Sequence, residues 1–291
     1  MRKFKTCKGI VAAIAAFMLV FALGACTAPK ADEPKTETPP ATETPAPTPV
    51  ELQIFAANSL EKALPEVQAL YTAAHPEVTF AASQFKASGD LVAQIGVGAG
   101  ADVLITASKG SMDTAVESGA IDEATRTDMF ANDLVVVRAV GSTVAVNALE
   151  DVKADAIARI AIGDAATVPA GQYANQSLNS IGLYSSDTGK DGAYDAAIEG
   201  KVMLADKVGT AANYVSTGDC EIGFVYSSDI FRYDGIEVAF TVPASAHKAI
   251  VYPGAVLKAS KKAATAQDFL DFCLSDPGAQ KIWSQYGFEV L

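Results

Sequence analysis

Short apolar runs alternate with longer helical patterns from Glu51 to Leu291. An apolar run bounded by turn-forming residues is typical of a buried strand. The runs are Leu52–Ala56, Val78–Ala82, Val103–Thr106, Leu134–Arg138, Ile160–Gly163, Ile222–Tyr226, Val238–Val242 and Ile250–Leu257. Their alternation with helices predicts an α/β fold with mostly parallel sheets, in which ligands bind at the carboxyl ends of the strands.

Two helical stretches frame this region. Apolar residues at helical spacing predict a helix over Leu60–Ala74, and Pro65 should kink it or make its first turns irregular because proline has no N–H to donate. The C-terminal pattern predicts one helix over Ala266–Tyr286, with Phe269 and Phe272 facing inward.

The first 25 residues have the pattern of an export signal. A basic start is followed by an apolar run from Gly9 to Ala25 that ends in Leu23-Gly24-Ala25-Cys26. This ending resembles a bacterial lipoprotein signal, which implies that residues 1–25 are removed and that Cys26 carries lipid. The alternative is a transmembrane anchor, for which about 17 apolar residues is marginal.

Residues 26–50 follow as the lipidated cysteine and a tether. Prolines alternate there with Thr, Ala and Glu from Thr27 to Pro49, which indicates an extended segment of polyproline II character. We expect an exported protein, anchored by lipid to the outer face of the cell membrane, with its folded body held away from the bilayer.

Composition narrows the classes of function. The formal net charge of −12 argues against a nucleic-acid partner, since such a partner needs a basic face. Cys220 and Cys273 have no CxxC spacing, and two free thiols are favoured over a disulfide. The two histidines, His75 and His247, are far apart and stand beside no pattern of acidic residues, which argues against a metal site and against a Ser-His-Asp triad. We therefore expect that the protein is not an enzyme.

The most informative chemistry lies at predicted helix starts. The segment Val168–Ala174 follows a short strand, and Pro169 has the fixed φ of a first helical residue. The N-terminus of a helix presents unpaired N–H groups and a positive dipole end, which together bind anions. The same design recurs at Ser59, at Ser88 and near Val208. Four such starts, if they converge, make a neutral cage of donors for an oxyanion.

Six segments in this order resemble the molybdate-binding proteins of bacterial ABC importers. They are Ile54–Leu60, Ala87–Ile95, Ala101–Val103, Gly163–Asp164 with Val168–Ala174, Gly223–Asp229 and Tyr286–Phe288. The resemblance implies a two-lobed type II solute-binding protein, each lobe a mostly parallel sheet flanked by helices. It also implies that the lobes close over a tetrahedral oxyanion without catalysis or cofactor.

Carried over by position, the resemblance implies five anion contacts. These are the hydroxyl and N–H of Ser59 and of Ser88, the N–H of Ala170, the N–H of Val208 and the phenol of Tyr226. From the residues alone, the two serines are equally typical of helix caps, and Tyr226 of a half-buried packing residue.

The sequence departs from the family at two places. Asn58 stands where a small residue is usual, and Gly209-Thr210-Ala211 follows Val208 where many relatives carry an arginine. The role of Asn58 therefore stays open, as does the preferred anion.

The resulting hypothesis is a monomeric receptor that captures molybdate, and tungstate as well, for an ABC permease and its ATPase. One lobe is expected over 51–131 plus 241–291, and the other over 132–240. The nearest alternative is the same device for sulfate or phosphate. A serine-dependent hydrolase using Ser59 or Ser88, and a structural surface lipoprotein, are the alternatives from other classes.

Overall fold

The computed structural model describes residues 48–291. The predicted signal peptide, the lipidation at Cys26 and nearly all of the tether lie outside the described residues. In the part that is described, none of the helices is both long and apolar enough to span a bilayer.

The described residues form strands and helices in alternation. The strands are β1 (Val50–Leu52), β2 (Ile54–Ala57), β3 (Val78–Phe80), β4 (Gln84–Lys86), β5 (Val103–Ile105), β6 (Thr127–Asn132), β7 (Leu134–Ala139), β8 (Ile160–Gly163), β9 (Val202–Ala205), β10 (Ile222–Tyr226), β11 (Ile236–Thr241), β12 (Ile250–Val256) and β13 (Glu289–Val290). The α-helices are α1 (Ala63–Ala74), α2 (Ser88–Gly96), α3 (Lys109–Glu117), α4 (Pro169–Ser180), α5 (Val208–Ser216), α6 (Ala263–Ser275) and α7 (Pro277–Gln285).

Two sheets organise the fold. A six-stranded sheet has the order β13-β6-β12-β5-β2-β4, and a five-stranded sheet has the order β11-β7-β10-β8-β9. The short strands β1 and β3 pair with each other alone. The predicted lobe boundaries, 51–131 plus 241–291 and 132–240, stay a prediction, although the two sheets draw on nearly the same segments.

The predicted α/β class is confirmed, but both sheets are mixed instead of mostly parallel. Strands joined through helices, such as β8, β9 and β10, pair in parallel where they are neighbours. The chain passes from one sheet to the other through Asp133, between β6 and β7, and returns between β11 and β12. The strands at these crossings, β6, β7, β11 and β12, make the antiparallel pairs.

Every predicted run contains a strand, whereas β4, β6, β9 and β13 were not predicted. Three of these strands, β4, β9 and β13, lie at the edge of a sheet. The strand β9 is an apolar run that was not predicted, whereas β4 and β13 each contain a single apolar residue and so have no run to mark them. The sequence Thr127–Asn132 of β6 is likewise half polar and half-buried.

The helix over Leu60–Ala74 begins later than predicted. A 3-10 turn over Asn58–Leu60 comes first, and α1 starts at Ala63. Pro65 therefore lies in the first turn of α1, where backbone N–H groups have no helical acceptor and the missing donor costs nothing. This change of helix type is the irregular start that was one of the two predicted outcomes.

The C-terminal pattern forms two helices, so the single helix predicted over Ala266–Tyr286 is wrong. Pro277 ends the run of helical hydrogen bonds and occupies the first position of α7. The Asp276 carboxylate caps α7 by accepting from the N–H groups of Gly278 at 2.8 Å and Ala279 at 2.9 Å.

The two cysteines of the described residues are free thiols, as predicted. Both are buried, and burial raises the pKa of Cys220 to about 11 and that of Cys273 further still. They serve as apolar packing residues and have little thiolate character at neutral pH.

Candidate functional site

A small cavity lies where elements from the two sheets meet. It has about 210 Å³ of empty space, counted out to the open solvent at its mouth. The residues that line it are Ala57, Asn58, Ser59, Lys86, Ala87, Ser88, Ala107, Val168, Pro169, Ala170, Val208 and Tyr226. All five residues predicted to bind the anion are among them, and the four predicted helix starts do converge.

Ser59 lies in the 3-10 turn that follows β2 and is 2% exposed. Its hydroxyl oxygen is 2.9 Å from the Tyr252 hydroxyl oxygen. The residue before the turn is Ala57, and no side chain caps the turn. The interpretation of Ser59 as a helix cap is therefore wrong, and its hydroxyl is held at the cavity by Tyr252.

Ser88 is the first residue of α2, directly after β4, and is also buried. Its hydroxyl oxygen accepts a hydrogen bond from the Ala107 N–H at 3.0 Å. Because the oxygen accepts, the hydroxyl proton is left to point elsewhere. The position before α2 is Ala87 and no side chain caps this helix, so the cap interpretation is wrong for Ser88 as well.

Ala170 and Val208 bring backbone donors to the cavity. Ala170 is the second residue of α4, after Pro169, and Val208 is the first residue of α5. At these positions the N–H has no carbonyl one helical turn earlier to bond. The positive ends of both helix dipoles consequently face the cavity.

Two glycines set the position of α4. A Cβ atom on Gly171 would overlap the carbonyl oxygen of Gly163 at the end of β8. One on Gly163 would in turn overlap the Val168 side chain. Helix α4 therefore lies directly on the strand end, which carries the Ala170 N–H to the cavity wall.

Tyr226 ends β10 and is 1% exposed. Its ring packs edge-to-face on Tyr252, with 5.7 Å between centroids. Within residues 48–291, its hydroxyl oxygen is buried and makes no hydrogen bond of good geometry, although the nearby Tyr252 hydroxyl contributes to raising its pKa. Burial raises the pKa of this phenol well above its ordinary value, so it is a neutral donor at physiological pH. A packing tyrosine normally bonds its hydroxyl, and an unpaired one points to a ligand.

Sequence analysis assigned no role to three residues that line the cavity or support it, namely Tyr252, Lys86 and Asn58. Tyr252 sits in the apolar run of β12, where a phenol looks like core. Lys86 is exposed and is the single charged residue among the lining residues that the structure describes. Asn58 was noticed only as an unusual amide, and its side chain is buried here.

The described residues give the two serines no catalytic base. Ser59 pairs with a phenol and Ser88 with a backbone amide. No group of three or more His, Cys, Asp or Glu side chains that could hold a metal ion occurs between residues 48 and 291. Apart from the exposed Lys86, the residues that line the cavity are neutral, and a set of neutral hydroxyl and N–H donors is a chemistry suited to an anion.

Comparison with known proteins identifies the family. The family model "Bacterial extracellular solute-binding protein" matches residues 52–289. The molybdate-binding protein ModA of Escherichia coli strain K12 is 33% identical over 244 residues, which cover 82% of this chain and 89% of ModA. The putative ABC transporter substrate-binding lipoprotein YvgL of Bacillus subtilis strain 168 is 28% identical over 285 residues, which cover 98% of each chain.

A solved structure agrees with these relatives. The substrate-binding domain of a putative molybdenum ABC transporter from Clostridium difficile matches with a TM-score of 0.62 and 33% identity, covering 83% of this chain and 99% of that domain. These relatives are solute-binding proteins and not enzymes, as the sequence predicted. The chain belongs to the bacterial extracellular solute-binding proteins, in the group that includes the molybdate-binding components of ABC importers.

Proposed function

We propose that this protein captures molybdate, and tungstate as well, and delivers it to the permease and ATPase of an ABC importer. The observation that carries the proposal is the buried, unpaired Tyr226 hydroxyl in a small cavity where four helix starts converge. The similarity to ModA supports molybdate as the ligand.

The proposed shell is suited to a dianion. It consists of the hydroxyl and N–H groups of Ser59 and Ser88, the N–H groups of Ala170 and Val208, and the phenol of Tyr226. Hydrogen bonds from neutral donors to an ionised acceptor are about twice as strong as neutral pairs. Several of them together offset the loss of hydration of the anion without a buried counter-charge.

We further propose that the protein works as a monomer whose two lobes close over the anion. The lobe of 51–131 plus 241–291 supplies Ser59 and Ser88, and the lobe of 132–240 supplies the other three contacts. Because each lobe holds only part of the shell, closure and binding depend on one another, as in hinged binding proteins.

The ligand proposal is tested by calorimetric titration of the purified protein with molybdate, tungstate, sulfate and phosphate. We expect one molybdate or tungstate per chain. We expect sulfate to bind about ten- to hundredfold more weakly, because a smaller tetrahedron loses at least one hydrogen bond to the shell. Tighter binding of sulfate or phosphate than of molybdate would assign the site to that anion instead.

The anchoring proposal is separate and concerns the N-terminus. Leu23-Gly24-Ala25-Cys26 after an apolar run motivates it, and YvgL, which carries the name of a lipoprotein, matches along almost its whole length. We expect mass spectrometry of the exported protein to find a lipid-modified Cys26 as the first residue. Replacement of Cys26 by Ser should release the protein from membranes, and a mature chain that starts later would contradict the proposal.

A further inference from the structure

Asn58, a residue that lines the cavity, connects the six-stranded sheet and its helices to the five-stranded sheet and its helices. We call each sheet with its helices a sheet system. Asn58 lies directly after β2 of the six-stranded sheet and is 4% exposed. Its side-chain carbonyl accepts a hydrogen bond of 3.1 Å from the N–H of Gly209 in α5, the helix that leads into β10 of the five-stranded sheet. This buried bond links the two sheet systems beside the proposed anion shell.

A second link starts from the same amide. The Asn58 side-chain N–H donates to Glu61 at 3.3 Å, and Arg232 donates to the same Glu61 oxygen at 2.9 Å. The Arg232 side chain is 2% exposed and also pairs with the fully buried Asp229. Glu61 therefore joins an amide from one sheet system to a guanidinium from the other.

Both links end beside residues that carry proposed anion donors. Gly209 follows Val208, so the bond from Asn58 fixes the first turn of α5 that holds the Val208 N–H. The Asp229 carboxylate accepts from the Tyr226 N–H at 3.0 Å, next to the phenol that faces the cavity. The contacts that join the two sheets therefore also help to position the Val208 N–H and the Tyr226 phenol, which both belong to the side of the five-stranded sheet.

Gly209 leaves the space that this arrangement needs. A Cβ atom there would overlap the Tyr233 hydroxyl and lie 2.7 Å from the Asn58 side-chain carbonyl. Any larger residue at 209 would push α5 away from Asn58.

We propose that Asn58, Glu61 and Arg232 form an interlobe latch, in which Asn58 is a positioning residue that slows release of the bound anion. The inference rests on the proposed function. Both polar atoms of the Asn58 side chain are bonded to protein, to Gly209 and to Glu61, so we place its action on α5 and not on the anion. The bond to Gly209 exists only while the two sides are together. The anion enters before the latch forms and leaves after it breaks, so the latch acts on the dissociation rate.

The test compares the Asn58→Ala variant with the unmodified protein by stopped-flow fluorescence, using molybdate or tungstate as the probe. Loss of one buried hydrogen bond between neutral groups corresponds to about five- to tenfold in an equilibrium. We expect the dissociation rate to rise by about that factor and the association rate to change less than about twofold. Asn213→Ala is the matched control, because Asn213 is an exposed amide on α5, the helix that Asn58 contacts.

A double variant separates a latch from a local defect. Glu61→Gln keeps the shape and weakens the bond to Arg232. If the residues act as a unit, the fold-increase in dissociation rate of the double variant Asn58→Ala with Glu61→Gln should be well below the product of the fold-increases of the two single variants. Unchanged dissociation in Asn58→Ala, or an effect confined to association, overturns the latch. Failure of the unmodified protein to bind either anion overturns the proposed function instead, so the two failures are distinguishable.

Discussion

Replacement of Tyr226 by Phe should weaken molybdate binding by about ten- to hundredfold while leaving the unliganded protein equally stable or slightly more stable. A hydrogen bond to a charged acceptor contributes about 1.5–3 kcal/mol, and about 1.4 kcal/mol is a factor of ten in affinity. In the structure the Tyr226 hydroxyl is buried and unpaired, so its removal deletes a desolvated polar group and breaks no internal bond. The ring contact with Tyr252 is kept.

Calorimetric titration and thermal unfolding of the same preparations measure both effects. Tyr194→Phe is the matched control. The Tyr194 hydroxyl donates to the Asn175 side-chain oxygen over 2.9 Å, and neither residue lines the cavity. That variant should lose about 1 kcal/mol of stability and keep its affinity. If Tyr226→Phe binds as tightly as the unmodified protein, Tyr226 is only a packing residue.

Replacement of Gly171 by Ala should reduce both stability and binding strongly. The new Cβ would overlap the Gly163 carbonyl oxygen, which is backbone and cannot turn aside. Overpacking of this kind costs about 3 kcal/mol or more, which corresponds to a fall in melting temperature of about 6–12 °C. Helix α4 has to move off β8, and the Ala170 N–H moves with it, so molybdate affinity should fall by at least about tenfold.

Gly110→Ala provides the control for this substitution. Gly110 lies in α3 with open space around its Cα, and alanine is the better helix former by up to about 1 kcal/mol. That variant should be as stable as the unmodified protein or more so. A Gly171→Ala variant with an unchanged melting temperature and affinity would show that α4 is not held by its contact with the strand end.

The sequence predicted those parts of the fold that depend on local pattern. Buried strands such as β8 and β10 are continuous apolar runs, and Pro169 marks the start of α4 without any tertiary information. The edge strand β4 was missed because its three residues, Gln84–Lys86, include a single apolar side chain. The two C-terminal helices were merged because an apolar face continues across Pro277 even though the hydrogen bonding does not.

The proposed anion donors could be predicted from the sequence, but the residues that hold those donors in place could not. The helix start at Pro169 after the predicted strand Ile160–Gly163 is visible in the chain, and it marks the backbone donor of Ala170. Ser88 and Val208 follow β4 and β9, which were not predicted, and their contacts came from the family resemblance. The partner of the Ser59 hydroxyl, Tyr252, is 193 residues away, and the partner of Asn58 is 151 residues away. Such contacts depend on how the two sheets meet, which no local pattern specifies.

Several side-chain oxygens around the cavity already have hydrogen-bond partners in the protein, which affects the protonation state of the anion that can bind. The Ser88 hydroxyl oxygen already accepts from Ala107, the Ser59 oxygen pairs with Tyr252, and the Asn58 carbonyl is occupied by Gly209. The N–H groups of Ala170 and Val208 can only donate, so the shell holds more donors than free acceptors. Hydrogen phosphate keeps an O–H group at neutral pH that needs an acceptor, whereas the anion of a stronger acid has no proton to place. Under the proposed function, the protein could stay free of phosphate in a phosphate-rich medium by sensing protonation as well as size.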